Sequence, residues 1–111
     1  MKKELTFRDL QQQQKSWVKH NFPNRSIEEP AYGMVEEIGE MFHAILKQKQ
    51  GIRGTYEEHE EAIKDSIGDL IIFTSDFCEA KGYDFQKIVE KTWEEVKKRD
   101  WVKFPSNGKD K

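Results

Sequence analysis

Apolar residues recur three and four positions apart along most of the chain, which is the spacing of amphipathic α-helices. In the segment 34–45 the stripe consists of Met34, Ile38, Met41, Phe42 and Ile45, and we expect it to be buried. This helix should run from about 28–31 to 50, and similar stripes predict helices over about 6–21, 56–81 and 84–99. The β-branched residues follow the same spacing and not the alternation of a strand. The sequence therefore predicts an all-α bundle of four to five helices.

Turn and capping residues mark the ends of these helices. Thr6 and Asp84 precede the first and last helices, and both residue types are favoured at helix N-caps. Residues 22–26 form a connector, residues 51–55 contain two glycines, and Gly82 suits a left-handed C-terminal cap. The run Gln11–Gln14 is expected to be a solvated face. We expect one helical domain over residues 1–103 and a flexible tail over residues 104–111.

Composition narrows the class of protein. The chain has 111 residues, of which 35% are hydrophobic and 36% charged, so little apolar surface is available per residue and self-association is favoured. A net charge of −2 gives no sign of binding to a nucleic-acid polymer. No apolar run has the length of a membrane span or a signal peptide, so we expect a cytoplasmic protein without a membrane partner. The single cysteine, Cys78, is expected to be buried and inert.

Carboxylates occupy matching positions on the second and third predicted helices. They are Glu36, Glu37 and Glu40, and then Glu61, Asp65, Asp69 and Asp76. Antiparallel packing across a short turn would let the two sets face each other. Asp69 lies among apolar residues and should be partly buried, where a carboxylate needs a counter-charge. An all-oxygen set without matching Lys or Arg favours Mg²⁺, with Mn²⁺ as a substitute, although solvated acidic faces are also common.

Two motifs within this acidic set resemble those of the MazG-like all-α nucleoside triphosphate pyrophosphohydrolases. They are Glu36-Glu37-Ile38-Gly39-Glu40 and Asp65-Ser66-Ile67-Gly68-Asp69, and the similarity extends over about residues 34–101. The resemblance implies Mg²⁺-dependent cleavage between the α- and β-phosphates of a nucleoside triphosphate, giving a monophosphate and pyrophosphate. A role in removing unwanted nucleotides would fit that activity. The resemblance also implies a homodimer or homotetramer of a helical bundle.

The resemblance assigns roles by position in the two motifs. Glu37, Glu40 and Asp69 would be metal ligands. Glu36 would be a ligand or the base that orients water, which makes Glu36 and Glu37 the expected catalytic pair.

The fourth ligand is where this chain departs from the family pattern. That pattern has Glu three residues before its Asp, and this chain has Ser66 there. Asp65 is the preferred replacement and Glu61 a further candidate, while Ser66 could instead hold a water molecule in the outer shell of the metal.

Basic and aromatic residues outside the acidic motifs are candidates for binding the nucleotide. The candidates for the phosphates are Arg53, Lys47, Lys97, Lys98 and Arg99, and those for the base are Trp93, Trp17 and Trp101. Arg53 lies on a glycine-flanked turn, where the backbone can approach a ligand. Basic residues at a helix C-terminus also complement the helix dipole without a ligand, and Trp93 could equally be a core or interface residue. A non-catalytic helical binding module, or a family member disabled at Ser66, is the alternative function.

Overall fold

The computed structural model describes residues 3–109, in which there are four α-helices and no β-strand. The helices are α1 (Phe7–Asn21), α2 (Glu28–Gln50), α3 (Tyr56–Lys81) and α4 (Phe85–Val96). The all-α prediction is therefore confirmed, with four helices. The predicted end of α4 at Arg99 is wrong, because the backbone leaves the helix after Val96 and continues as a turn. None of these helices is long and apolar enough to cross a membrane.

Local hydrogen bonds at the helix ends explain why the boundaries could be predicted. Thr6 Oγ1 accepts a hydrogen bond from the Asp9 backbone N–H at 3.0 Å, and the Asp9 carboxylate accepts one from the Thr6 N–H at 3.1 Å. The Asp84 carboxylate caps α4 by accepting from the Lys87 N–H at 3.1 Å. Gly82 ends α3 with a φ of 75°, a left-handed conformation that glycine adopts without steric cost. The predicted caps at Thr6, Asp84 and Gly82 are all confirmed.

An antiparallel hairpin of α2 and α3 is the main packing unit. At its closed end, the Gln48 side-chain amide donates to the Tyr56 carbonyl and to the Glu60 carboxylate, at 3.3 and 2.8 Å. At its open end, the Phe73 ring fills the space that a Cβ on Gly33 would occupy. Among the described residues, α1 packs on α3, and α4 packs on α1 and α3. The only helix that α2 contacts in this part of the chain is α3. Helix α2 is therefore covered by another helix on one side only, the side that packs on α3.

Burial along α2 differs from the prediction. Ile38, Phe42 and Ile45 were expected to be buried, but they are 40%, 60% and 38% exposed. The buried positions of α2 are Pro30, Gly33, Glu37 and Ala44. The small residues Gly33 and Ala44 allow α3 to approach α2 closely along this line of buried positions. The apolar stripe with Ile38, Phe42 and Ile45 therefore lies on a part of the α2 surface that the rest of the chain leaves exposed. The predicted burial of the stripe is therefore wrong at Ile38, Phe42 and Ile45 in the single chain.

Burial on α1 corrects the prediction of a solvated glutamine run at Gln11 and Gln14, whereas Gln12 and Gln13 are exposed as predicted. Gln14 is only 8% exposed, and the Gln11 side chain bonds to the Tyr83 carbonyl at 2.7 Å and accepts from the Phe85 N–H at 3.0 Å. Cys78 is buried, as predicted.

The C-terminal segment folds into successive turns after α4. The Asp100 N–H donates to the Gly108 carbonyl at 2.7 Å, and the Phe104 N–H donates to the Asp100 carbonyl at 2.8 Å. Flexibility over residues 104–111 stays a prediction, and its last two residues lie outside the described part of the chain.

Candidate metal and substrate site

Three glutamates on one turn of α2 form an acidic cluster, which we define as Glu36, Glu37 and Glu40. Each offers a carboxylate oxygen, and these atoms all lie within 4.8 Å of one another. Spacings of three and four residues place the side chains on neighbouring positions of the helix surface. Glu36 and Glu40 are exposed, whereas Glu37 is 6% exposed because it lies on the line of α2 that faces α3.

Glu37 is the unusual member of the acidic cluster. Its Oε2 atom is buried and has no hydrogen-bond partner. Burial raises the pKa of the Glu37 carboxyl above its ordinary value, and the charges of Glu40 and Asp69 raise the pKa further. An ionised carboxylate in such a place is unfavourable unless a cation offsets the desolvation and the repulsion. The unpartnered oxygen and the all-oxygen donor set therefore fit a hard divalent cation such as Mg²⁺.

Asp69 faces the acidic cluster from α3 but is not buried. It is exposed, as are its neighbours Ile67 and Ile72, at 50% and 43%. The expectation that Asp69 would be partly buried is wrong, because α2 packs close to the axis of α3 through small residues and leaves the flanks of α3 open. The desolvated carboxylate is Glu37 instead.

A polar pocket of about 590 Å³ opens on one side of the acidic cluster. It is lined by Glu40, His43, Ala44, Arg53, Glu58, His59, Ala62, Asp65, Ser66 and Asp69. Arg53 reaches it from the turn after α2, where its φ of 63° lies in the left-handed region that disfavours residues with a side chain. The buried His59 ring holds this turn through a 3.0 Å contact between Nε2 and the Ile52 carbonyl. The pocket thus brings the Arg53 guanidinium together with carboxylates from α2 and α3.

An apolar groove of about 700 Å³ opens on the other side of the acidic cluster, between α1 and the hairpin. Its lining comprises Leu10, Gln13, Gln14, Trp17, Val18, Phe22, Glu37, Asp69, Ile72, Phe73 and Asp76. The volume lies within the range of roughly 300–1,000 Å³ of small-ligand sites. Asp69 borders both the groove and the polar pocket. Glu40 and Asp69 therefore line the polar pocket, and Glu37 and Asp69 line the apolar groove.

Gln14 gives this groove a fixed polar atom. The Gln14 Nε2 donates to the Ile72 carbonyl at 2.8 Å, which sets the orientation of the amide. The Gln14 Oε1 is buried without a hydrogen-bond partner. A ligand with an N–H group could satisfy this acceptor.

Asp65 and Ser66, two of the fourth-ligand candidates, line the same pocket as Glu40 and Asp69. Glu61, the third, does not line this pocket; it is paired with Lys64 at 3.2 Å. Asp76 belongs to the acidic band of the sequence but is bound by Arg25 at 2.9 Å. Asp65 and Ser66 thus share a pocket with Glu40 of the cluster. Glu61 and Asp76 instead form ion pairs with Lys64 and Arg25.

Several predicted substrate residues do not line the polar pocket or the groove. Lys47 donates to the Gln50 side chain at 3.0 Å, and Lys97 pairs with Glu94 at 3.0 Å on the last turn of α4 and its C-cap. Trp93 is 59% exposed on α4, which does not contact α2 among the described residues. In the single chain, Arg53 and Trp17 are the predicted binding residues that border the site.

Sequence reasoning missed Gln14 and His59 as site residues. A signal for Gln14 was present, because it is seven residues after Phe7 and four before Val18, on the stripe of α1 that packs against the hairpin. His59 carries no such signal, since its position depends on the path of the turn before α3.

A scan against protein-family models, a search of curated proteins and a search of solved structures found no match for this chain. The proposed function therefore rests on the resemblance of the two acidic motifs together with the acidic cluster, the polar pocket and the apolar groove.

Proposed function

We propose that this chain is a Mg²⁺-dependent nucleoside triphosphate pyrophosphohydrolase. It hydrolyses the bond between the α- and β-phosphates and releases a nucleoside monophosphate and pyrophosphate, a reaction suited to removing unwanted nucleotides. The reaction is the one that the resemblance of the two acidic motifs implies, and the observation that carries its metal dependence is the buried Glu37 oxygen that lacks a partner within a cluster of carboxylates. A folded chain keeps such an arrangement at a cost, and a bound cation supplies the compensation.

Carboxylates from both helices of the hairpin would hold the cation. Glu37 and Glu40 would bind it from α2 and Asp69 from α3, with Asp65 as the fourth carboxylate. When bound there, Mg²⁺ would neutralise the repulsion between these carboxylates and a triphosphate and would polarise the phosphoryl group. Mn²⁺ can substitute, because it accepts the same oxygen ligands.

The apolar groove and the polar pocket define the orientation in which the nucleotide binds. The base enters the apolar groove, where Trp17 is 55% exposed at the rim and offers its ring for stacking. The buried Gln14 oxygen accepts a hydrogen bond from an N–H group on the edge of the base. The β- and γ-phosphates extend into the polar pocket toward Arg53. The bond between the α- and β-phosphates then lies over the acidic cluster.

Hydrolysis requires that a water molecule lose a proton as it attacks the α-phosphorus. Glu36 is exposed at the edge of the cluster and accepts that proton, whereas Glu37 is committed to the cation. The new bond joins the water oxygen to the α-phosphorus, and the bond from that phosphorus to the bridging oxygen breaks. Pyrophosphate leaves from the polar pocket, with Arg53 stabilising its charge.

The test is pyrophosphate release from a panel of standard and modified nucleoside and deoxynucleoside triphosphates, with Mg²⁺ and with EDTA. We expect Mg²⁺-dependent release with an equal amount of monophosphate. Asp69→Asn should abolish turnover and leave stability without metal equal or higher, because it removes a repulsive charge. Absence of turnover across the panel, together with retained nucleotide binding, would instead favour the non-catalytic binding module.

A further inference from the structure

His59 is the buried histidine of the polar pocket. It lines the pocket but is only 8% exposed. Its Nε2 atom lies 3.0 Å from the Ile52 carbonyl oxygen. Because a carbonyl oxygen only accepts hydrogen bonds, Nε2 carries a hydrogen and donates it. This nitrogen is therefore not free to bind a metal ion or to take a proton from water.

The Ile52 carbonyl belongs to the peptide group that leads into Arg53. This planar group also contains the Arg53 backbone nitrogen, so the orientation of the carbonyl constrains the φ torsion of Arg53. That φ is 63°, in the left-handed region that is unfavourable for a residue with a Cβ atom. Such a conformation persists only where the surrounding structure holds it. The hydrogen bond from His59 is a contact of this kind.

Local hydrogen bonds fix both ends of the turn that carries Arg53. At the α2 end, the Gly51 N–H donates to a carbonyl of the last turn of that helix at 2.9 Å. At the α3 end, the Thr55 N–H donates to the Glu58 carboxylate at 2.8 Å. Among the described residues, one side-chain hydrogen bond reaches the backbone between these ends, and it comes from His59. The centre of the turn therefore depends on this ring.

Gly54 allows the His59 ring to lie against the turn. Its φ of 144° belongs to a region that glycine adopts freely and other residues rarely adopt. A Cβ atom on Gly54 would lie 3.3 Å from Cε1 and 3.4 Å from Nε2 of the ring. A side chain at this position would press on the atoms that make the hydrogen bond. Arg53, Gly54 and His59 thus form one packed unit.

We propose that His59 is a positioning residue, which holds Arg53 over the polar pocket so that the arginine binds the β- and γ-phosphates of the substrate. Both residues line this pocket beside the carboxylates of Glu40, Asp65 and Asp69. An arginine on a fixed turn loses less conformational freedom on binding a phosphate than one on a mobile turn. The inference rests on the proposed function for its ligand and on the geometry of the turn for the role of His59.

The first test is the dissociation constant of inorganic pyrophosphate, measured by calorimetry with Mg²⁺ and without a nucleotide. We expect His59→Phe and Arg53→Gln each to raise it about tenfold, the size expected for one hydrogen bond to a charged group. The double variant should bind no more weakly than Arg53→Gln, because His59 acts through Arg53. His59→Gln keeps a donor and should restore most of the affinity. Losses that multiply in the double variant, or a wild type that does not bind pyrophosphate, would overturn the proposal.

The second test is trypsin cleavage of the native full chain, which needs neither nucleotide nor metal. Arg53 is exposed, so trypsin cuts the bond after it when the turn opens. Cleavage there, identified by mass spectrometry, should be about tenfold faster in His59→Phe, because its rate follows the population of the open turn. His43→Phe is the matched control, since His43 lines the same pocket but is exposed. An unchanged rate in His59→Phe, or an equal rise after Lys15 within α1, would overturn the positioning role.

This inference and the proposed function fail in different experiments. Coupled losses of pyrophosphate binding without hydrolysis of any triphosphate would overturn the proposed reaction and support the role of His59 in holding Arg53. Turnover of a triphosphate with independent effects of His59 and Arg53 would support the reaction and overturn the positioning role.

Discussion

Arg25 and Asp76 form a two-point ion pair between the α1–α2 connector and α3. The Arg25 Nη2 lies 2.9 Å from Asp76 Oδ1, and Nε lies 3.1 Å from both carboxylate oxygens. The side chains are only 21% and 12% exposed. The pair fixes the connector over α3 and removes Asp76 from the set of free carboxylates on that helix. The apolar groove therefore has a rigid end beside the connector.

Arg25→Met should destabilise the protein by roughly 1–3 kcal/mol, because it leaves the largely buried Asp76 carboxylate without its cation. The measurement is chemical denaturation at a fixed protein concentration. Arg8→Met is the control, since the Arg8–Asp84 pair is 3.4 Å long and 46% and 40% exposed. Surface pairs of that kind contribute about 0–1 kcal/mol. Equal losses in the two variants would contradict the structural role of Arg25.

Glu37→Gln should stabilise the metal-free protein at neutral pH. Burial, followed by the charges of Glu40 and Asp69, raises the pKa of Glu37 above 4.5, so its ionised form is disfavoured in the folded state. The resulting loss of stability is present above the folded-state pKa and disappears as the pH falls through that pKa toward 4.5. The advantage of Glu37→Gln should therefore shrink on acidification.

The measurement for Glu37 is denaturation in EDTA at neutral pH and again below pH 4.5. Glu36→Gln is the matched control, because Glu36 is exposed and should change stability less. Adding Mg²⁺ should raise the stability of the wild type but not of Glu37→Gln, since binding to the folded state alone is stabilising. An unfolded Glu37→Gln variant would show that this carboxylate has a structural role.

The fourth ligand can be identified by comparing Asp65→Asn with Glu61→Gln. Asp65 lines the polar pocket with Glu40 and Asp69, whereas Glu61 is paired with Lys64. We expect Asp65→Asn to weaken Mg²⁺ binding about 10–100-fold, a loss comparable to that found when groups around a metal are removed. Glu61→Gln should leave it unchanged. Calorimetric titration with Mg²⁺ measures both, and Ser66→Ala in the same series tests whether the hydroxyl holds an outer-shell water.

Trp17→Ala should weaken nucleotide binding by about 1–3 kcal/mol if a base stacks on the ring. A loss of this size appears as roughly a 5- to 140-fold rise in the dissociation constant. Gln14→Met should raise it as well and alter the preference among bases, because the variant lacks the buried acceptor. Gln12→Met is the matched control, since Gln12 is exposed on the same helix. If all three variants bind alike, the base does not enter the groove.

Local sequence signals were sufficient for the four helices and for most of their ends, the end of α4 excepted. Thr6, Asp84 and Gly82 act through atoms within a few residues of their own positions, so their roles do not depend on the rest of the fold. The acidic motifs were visible for the same reason, because a spacing of three or four residues places side chains together on any α-helix. The exposure of the α2 stripe was not predictable in this way, since periodicity shows that a helix face is apolar but not which part of the protein covers it.

The sequence by itself determined four helices, most of their boundaries and a set of carboxylates on two consecutive helices. Only the tertiary structure decided which acid is desolvated. Close packing at Gly33 and Ala44 places Glu37 against α3 and leaves Asp69 exposed. The tertiary structure also pairs Asp76 with Arg25 and buries Gln14 beside Ile72. These relationships join residues far apart in the chain, and they depend on how closely and at what angle the helices approach, which side-chain periodicity does not specify.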